Sequence, residues 1–176
     1  LTNKYSLYKK IKMLRSHGID KSKINISKPW IYKMELLGFN YRITDFQCAL
    51  GYSQLRRLKN NILERRKIAK NYNKKFSKNP NLIVPEVENF SYHAYHLYPL
   101  QIKFTNLSTN KSHFFSYCKK NNINLQIHYI PLHFQSFLKK RINILKKDLN
   151  NCESFYKNVF SIPLYCGLSF LDQEKV

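Results

Sequence analysis

The sequence predicts two small lobes joined by a long helix, the second lobe of α+β build. Three observations carry this. Apolar residues at three-four spacing, Leu55, Leu58, Ile62, Ala69, Tyr72 and Phe76, describe a helix running from about residue 45 to about residue 76, and a helix of that length usually bridges two bodies. After Asn79-Pro80 the pattern changes to short alternating runs set between helical stretches, the mark of a sheet with one face covered by helices. The 176 residues, 43% of them hydrophobic, suffice for one domain or two small lobes with a real core.

Taken in order, Ser6 is a candidate cap for a first helix whose Leu7, Ile11 and Leu14 share a face, and Gly18 stops it. Residues 19 to 37 are less regular: Ser27-Lys28-Pro29 argues for a loop, with Trp30 and Ile31 tucked into neighbouring structure. Thr44 and Gln47 fit a reciprocal capping box, so the long helix starts at residue 45; Arg65 interrupts its apolar face. Leu100, Ile102 and Phe104 alternate with Gln101 and Lys103, and Ile123, Leu125, Ile127 and Tyr129 alternate with Asn124, Gln126 and His128. Both runs read as half-buried strands. Between them, 111 to 121 forms a helix with Phe114, Phe115 and Cys118 inward. A helix at 151 to 160 precedes a strand-like Ser-Ile-Pro-Leu-Tyr, and a new helix begins in the closing Asp-Gln-Glu-Lys-Val. With Leu1 in place of Met, the chain reads as cut at both ends.

Composition narrows the function classes. No apolar run is long enough to cross a bilayer and no charged-then-apolar leader opens the chain, so a cytoplasmic location is expected. Cys48, Cys118, Cys152 and Cys166 are scattered without a C-x-x-C pair, which suggests neither a disulfide framework nor a thiolate zinc site. His93 and His96 are three apart and His128 and His133 five apart, yet no Cys or carboxylate completes a set, so no metal is expected. The formal charge of +21 raises nucleic acid as a partner, but the basic residues are spread thinly and form no dense block or arm. A basic RNA-binding module with stacking aromatics is the alternative reading, and it requires those aromatics exposed on one sheet face. Here they fall mostly on apolar faces, as in Phe114-Phe115 and Tyr72-Phe76.

Asn40, Tyr41 and Arg42 stand just before the first turn of the long helix, where free N–H groups and the helix dipole favour an anion, so an amide and a guanidinium there suit a phosphate. Their neighbours are more specific. The run ELLGFNYRITDFQCALGYSQLRRLKNNILERRKIAKNY resembles the corresponding segment of the DegT/DnrJ/EryC1/StrS family of pyridoxal-phosphate-dependent sugar aminotransferases. RSHGI at 15 to 19, YHLYPLQI at 95 to 102, LQIHYIPLHFQ at 125 to 135 and the closing CESFYKNVFSIPLYCGLSFLDQEKV resemble family segments in the family's order. Within the family, YHLYPLQI and QIHYIPLH are most similar to enzymes making 4-amino-4,6-dideoxy UDP-sugars on the route to pseudaminic acid.

The resemblance implies an α/β type I aminotransferase fold, of which residues 1–54 are the end of the large cofactor domain, 55–78 the inter-domain helix and 79–176 most of the small C-terminal α+β domain. It implies amino transfer from glutamate to a keto-sugar nucleotide, with pyridoxal 5'-phosphate as cofactor and a homodimer as the working unit. Asn40 is then expected to reach the phosphate of the partner subunit's cofactor with Arg42 beside it, while Tyr41, His96, Tyr98, His128 and Tyr129 face the substrate. His17 and His113 are given structural roles. The family's Schiff-base lysine maps upstream of the segment resembling LTNKYSLYKK, so the chain alone is expected to be inactive.

Overall fold

The computed structural model describes residues 2–141 and 149–176, which form two compact units, Leu1–Arg56 and Arg57–Val176. In the first unit, α1 (Tyr5–Leu14) is not capped by Ser6, which lies inside the first turn. Lys4 is the N-cap residue, and the hydroxyl of Thr2 accepts from its N–H at 3.1 Å. The helix ends as Gly18 predicts: His17 and Gly18 take φ values of 62° and 71°, and the Gly18 N–H returns to the Met13 carbonyl at 2.9 Å.

Beyond that turn the chain pairs with a segment some twenty residues later. The His17 N–H donates to Phe39, the Phe39 N–H to Leu14 and the Tyr41 N–H to Arg15, at 2.9, 2.7 and 2.9 Å, and Ser16 bridges Asn40. Two glycines let the backbones come this close. A Cβ on Gly38 would sit 2.1 Å from the Gly18 nitrogen, and one on Gly18 would sit 1.7 Å from the Leu36 oxygen. Trp30 and Ile31, expected to tuck inward, are 70% and 53% exposed. The loop that carries them finds no apolar cover among the described residues.

The long helix, α2 (Asp45–Phe76), starts and stops where its pattern predicts. The Thr44 N–H donates to Gln47 Oε1 at 3.0 Å and the Gln47 N–H to Thr44 Oγ1 at 3.3 Å, the reciprocal capping box. Within the second unit, α2 contributes Ile68, Ala69 and Tyr72 to the core.

The second unit is built on a three-stranded antiparallel sheet of order β1 (Leu82–Ile83), β2 (Tyr98–Ile102), β3 (Val159–Ile162). In β2 the alternation predicted from Leu100 to Ile102 holds and extends back to Tyr98: Tyr98, Leu100 and Ile102 are buried and Pro99 and Gln101 half-buried. Pro99 is tolerated in this middle strand for a geometric reason. Its opposite number Ser161 turns both backbone groups to Gln126, and β1 reaches only Gln101 and Ile102, so no ladder bond is asked of the proline nitrogen. Phe104 falls outside the strand, in the 3-10 turn Phe104–Asn106.

The second predicted strand, 123 to 129, is a single bridge. Gln126 and Ser161 exchange N–H···O bonds of 3.1 and 2.7 Å. On one side the facing residue is Pro163, just past β3, which has no N–H, and on the other it is Val159, whose N–H already goes to the Phe155 carbonyl, so the ladder stops. Around the sheet stand α3 (Lys111–Lys120), α4 (Ser136–Lys139), α5 (Asn150–Asn158) and α6 (Phe170–Lys175). Phe114 and Phe115 of α3 meet Phe160 at 5.3 and 6.2 Å between ring centroids, and Cys118 is buried, as the sequence predicts. The closing helix starts at Phe170 because Ser169 caps it, its hydroxyl accepting from the Asp172 N–H at 3.0 Å.

The glycines give a paired prediction. Gly38→Ala forces the two backbones of the first unit apart and is expected to destabilise it by about 1–3 kcal/mol. Gly51, in α2, has open space where a Cβ would go, and Gly51→Ala is expected to stabilise by roughly 0.5–1 kcal/mol. Urea unfolding followed by circular dichroism measures both, and a shift of the same sign in the two variants would contradict the role given to the backbone crossing.

Candidate functional site

The pairing of the first unit displays the Asn-Tyr-Arg triplet. Phe39 and Tyr41 stack at 5.1 Å with their planes 12° apart, which puts these alternate residues on one face. Alternation gives Asn40 and Arg42 to the other. Both are exposed, and among the described residues neither side chain makes a hydrogen bond or ion pair. Arg42 also lines a cavity of about 390 Å³ with Arg15, Lys12, Lys9, Tyr8 and Tyr5. The first turn of α2 is not itself an open anion site, since Thr44 occupies the Gln47 N–H and Asp45 puts a carboxylate beside it.

In the second unit, His96 is exposed and lines a cavity of about 600 Å³ with Gln126, Ser161 and Asn122. His128 is half-buried, its Nδ1 hydrogen-bonded to Ser161 Oγ at 3.0 Å. Tyr129 beside it is 78% exposed, and its ring meets the His128 ring edge-on at 4.9 Å. Ser161 thus shares the cavity lining with His96 and holds His128 through its hydroxyl.

Tyr98 is a correction. It is fully buried, its hydroxyl donates to Asn73 Oδ1, and its ring packs against Tyr72 at 5.2 Å, so it serves the core and does not face a substrate. The strand begins two residues before the predicted run, at Tyr98, which puts Tyr98 on the same face as Leu100 and Ile102.

Arg65 carries a role that its sequence position only hints at. Its Nη1 donates to the carbonyls of Tyr95, His96 and Leu164 at 3.1, 3.1 and 3.3 Å, tying the His96 segment and the end of β3 to α2. Next to it, Arg66 Nη1 donates to the His93 carbonyl at 2.9 Å and lies over the Tyr92 ring. A charged residue in an apolar helical series was the signal. Among the described residues no three His, Cys, Asp or Glu side chains gather as a metal set, and His133 Nε2 is paired with Glu153 Oε1 at 3.2 Å.

This architecture recurs in solved type I aminotransferases that act on sugars. Helicobacter pylori PseC, an aminotransferase involved in the biosynthesis of pseudoaminic acid, superposes with a TM-score of 0.85 at 27% identity, over 98% of this chain and 44% of that one. Streptococcus pneumoniae Spr1654 in its PLP form shares the fold at a TM-score of 0.82 and 20% identity, over 98% of this chain and 42% of that one. The chain belongs to the DegT/DnrJ/EryC1/StrS aminotransferase family, whose model matches residues 1–176. A Campylobacter jejuni UDP-4-amino-4,6-dideoxy-N-acetyl-beta-L-altrosamine transaminase is 37% identical over 170 residues, 97% of this chain and 43% of the relative. The chain spans less than half the length of the relatives it matches. Members of the family depend on pyridoxal phosphate. The RNA-binding alternative has no support in these matches.

The buried phenols set an alkaline limit. Burial, followed by the nearby Tyr165, pushes Tyr72 up to about 12, and burial, followed by Tyr95 and Tyr72, pushes Tyr98 above the ordinary phenol range. Both values are raised by folding, so the stability gained from keeping these phenols neutral is fully present below the free-phenol value of about 10 and is lost as the pH rises through the folded value. In an ultraviolet titration Tyr72 and Tyr98 are expected to ionise last, together with loss of the helical signal. Complete phenolate formation before any unfolding would contradict their burial.

Proposed function

We propose that this chain is the part of an aminotransferase subunit that completes the cofactor site of a partner subunit in a cytoplasmic homodimer. The reaction is transfer of an amino group from glutamate to a keto-sugar nucleotide, of the UDP-4-keto-6-deoxy-N-acetylhexosamine class, for surface polysaccharide or nonulosonic acid synthesis. The family match over residues 1–176 is the observation that carries the reading.

The residues present suit the cofactor. Asn40 and Arg42 are uncommitted donors exposed on one face of an extended segment, and an amide with a guanidinium is the donor set a phosphate monoester requires. Bound pyridoxal phosphate supplies the carbonyl that carries the amino group and the electron sink for the transfer. Asn40 holds a phosphate oxygen and Arg42 neutralises its charge. Tyr41 lines the same cleft. His96, His128 and Tyr129 orient hydroxyl groups of the sugar, and the Ser161 hydroxyl fixes the His128 imidazole for that task. Histidine in such a role acts as a directional hydrogen-bonding group that can also hold a proton near neutral pH.

The test is a subunit-mixing experiment in the full-length enzyme. Asn40→Ala is expected to weaken cofactor affinity roughly ten- to a hundredfold, the worth of a hydrogen bond to a charged group. Subunits carrying Asn40→Ala are then mixed with subunits lacking the Schiff-base lysine, and cofactor is titrated into the heterodimers. The lysine-bearing site receives an intact Asn40 from its partner, so near wild-type affinity is expected. Affinity as poor as in the Asn40→Ala homodimer would assign Asn40 to its own subunit's site and overturn the composite reading.

A further inference from the structure

Tyr95, the residue before His96, has a backbone conformation that needs support. Its φ is 48°, in the left-handed region that residues other than glycine rarely enter. Such a turn persists only where its surroundings hold it. Both backbone groups of Tyr95 are held. Its N–H donates to His93 Nδ1 at 3.1 Å, and its carbonyl, with that of His96, accepts from Arg65 Nη1. The Tyr95 ring stacks on the buried Tyr98 with centroids 6.5 Å apart and meets the His93 ring edge-on at 4.5 Å. His93 is placed in turn from α2, where Arg66 Nη1 donates to its carbonyl.

The bond between Tyr95 and His93 fixes a protonation state. A neutral imidazole has one donor nitrogen and one acceptor, and the nitrogen that faces a backbone N–H is the acceptor. His93 therefore carries its proton on Nε2 in this arrangement. When the ring is protonated both nitrogens are donors, and the Tyr95 N–H faces a second donor. Among the described residues that N–H has no other acceptor. The groups around the turn are Arg65, Arg66, Lys67 and Lys70 from α2, Tyr98 from β2, and Tyr92, Tyr95 and His96 from the segment itself. No carboxylate stands among them.

We propose that His93 is a positioning residue for His96: as a neutral imidazole it holds the left-handed turn from which the chain runs through His96 into β2, and its protonation releases that turn. The proposal rests on the reading of His96 as a group that orients the sugar. The peptide plane that follows Tyr95 carries both the carbonyl that Arg65 receives and the His96 N–H. A change of turn at Tyr95 therefore reorients the backbone of His96 and takes one acceptor from Arg65. The two supports differ in kind. Arg65 keeps its charge at every pH at which the protein is folded, whereas histidine changes its hydrogen-bonding character within the physiological range.

The test uses the full-length enzyme and two variants. Asparagine puts its Oδ1 where the imidazole has Nδ1 and accepts at every pH, whereas phenylalanine keeps the ring and removes the acceptor. At mildly alkaline pH, His93→Phe is expected to raise KM for the nucleotide sugar roughly three- to tenfold with kcat changed about twofold at most, and His93→Asn to restore KM. As the pH falls to mildly acidic values, the ratio of KM in the unsubstituted enzyme to KM in His93→Asn is expected to rise from about one to roughly three- to tenfold. The other titrating groups are common to both proteins, so the ratio isolates His93. In enzyme labelled with ¹⁵N-tyrosine and ¹⁵N-histidine, the differences between the two proteins at the Tyr95 and His96 amides are expected to grow over the same range. A flat KM ratio in an enzyme that does transfer amino groups to nucleotide sugars, or an unchanged KM in His93→Phe, would overturn the proposal. If His93→Phe does not fold, the ratio decides alone. Amide differences that grow on acidification in an enzyme that transfers no amino group to nucleotide sugars would overturn the functional reading and leave the pH-dependent turn standing.

Discussion

The first unit depends on one steric allowance, the approach of backbone to backbone at Gly18 and Gly38. With a side chain at either position the strand pairing from Ser16 to Asn40 has no room, and without that pairing neither Asn40 nor Arg42 has a fixed direction. Everything assigned to this unit descends from that contact. The amide and guanidinium stand on a segment held by three backbone hydrogen bonds, and Arg15 is drawn beside Arg42 by the same ribbon. A position buried between two backbones tolerates no Cβ, whereas a surface glycine such as Gly51 is constrained by nothing nearby.

In the second unit the corresponding constraint is polar. Three carbonyls, those of Tyr95, His96 and Leu164, point at α2 without a backbone donor to receive them, and Arg65 satisfies them together. A single guanidinium nitrogen, Nη1, reaches all three, its two N–H groups shared among the carbonyls. The consequence is that the His96 segment and the tail of β3, two walls of the 600 Å³ cavity, are referenced to the same helix side chain. His128 is referenced to that tail through Ser161. The polar groups of this unit are therefore positioned by a chain of specific hydrogen bonds that begins on α2.

Periodicity made the regular elements legible. The capping box at Thr44 and Gln47, the end of α2 at Phe76 and the inward residues of α3 are all local properties, set by spacing and by side-chain chemistry within one turn. The misreadings share a different cause. Ser6 could cap a helix, but Lys4 takes the N-cap position and α1 begins earlier. The alternation from Ile123 to Tyr129 fits a strand, but Pro163 just past β3 has no donor to give and the Val159 N–H is spent on Phe155 at the end of α5, so the ladder does not extend either way. The resemblance gives Tyr98 to a pocket, whereas β2 begins at Tyr98 and its alternation puts the side chain in the core with Leu100 and Ile102. Arg65 and Arg15 were illegible as partners because their contacts are made by residues distant in sequence, which periodicity does not encode.

The distribution of burial bears on how such a chain works. The buried hydrophobic residues, from Ile68 and Tyr72 through Leu100 to Phe160 and Leu168, all belong to the second unit. The first unit buries Ser16 and glycine backbone, while Ile26, Trp30, Phe39, Tyr41 and Phe46 stay largely exposed. A segment of this size with so little apolar burial of its own is held mainly by its backbone pairing and leaves that apolar surface open to other polypeptide. Function follows the same logic as stability here. The second unit has a core that can hold its polar groups in place from within, so His96 lines a cavity of its own lobe and His128 is fixed to Ser161 of the same cavity wall. The first unit holds its backbone by hydrogen bonds and turns Asn40 and Arg42 outward, the arrangement that the proposed contribution of an amide and a guanidinium to a composite site requires.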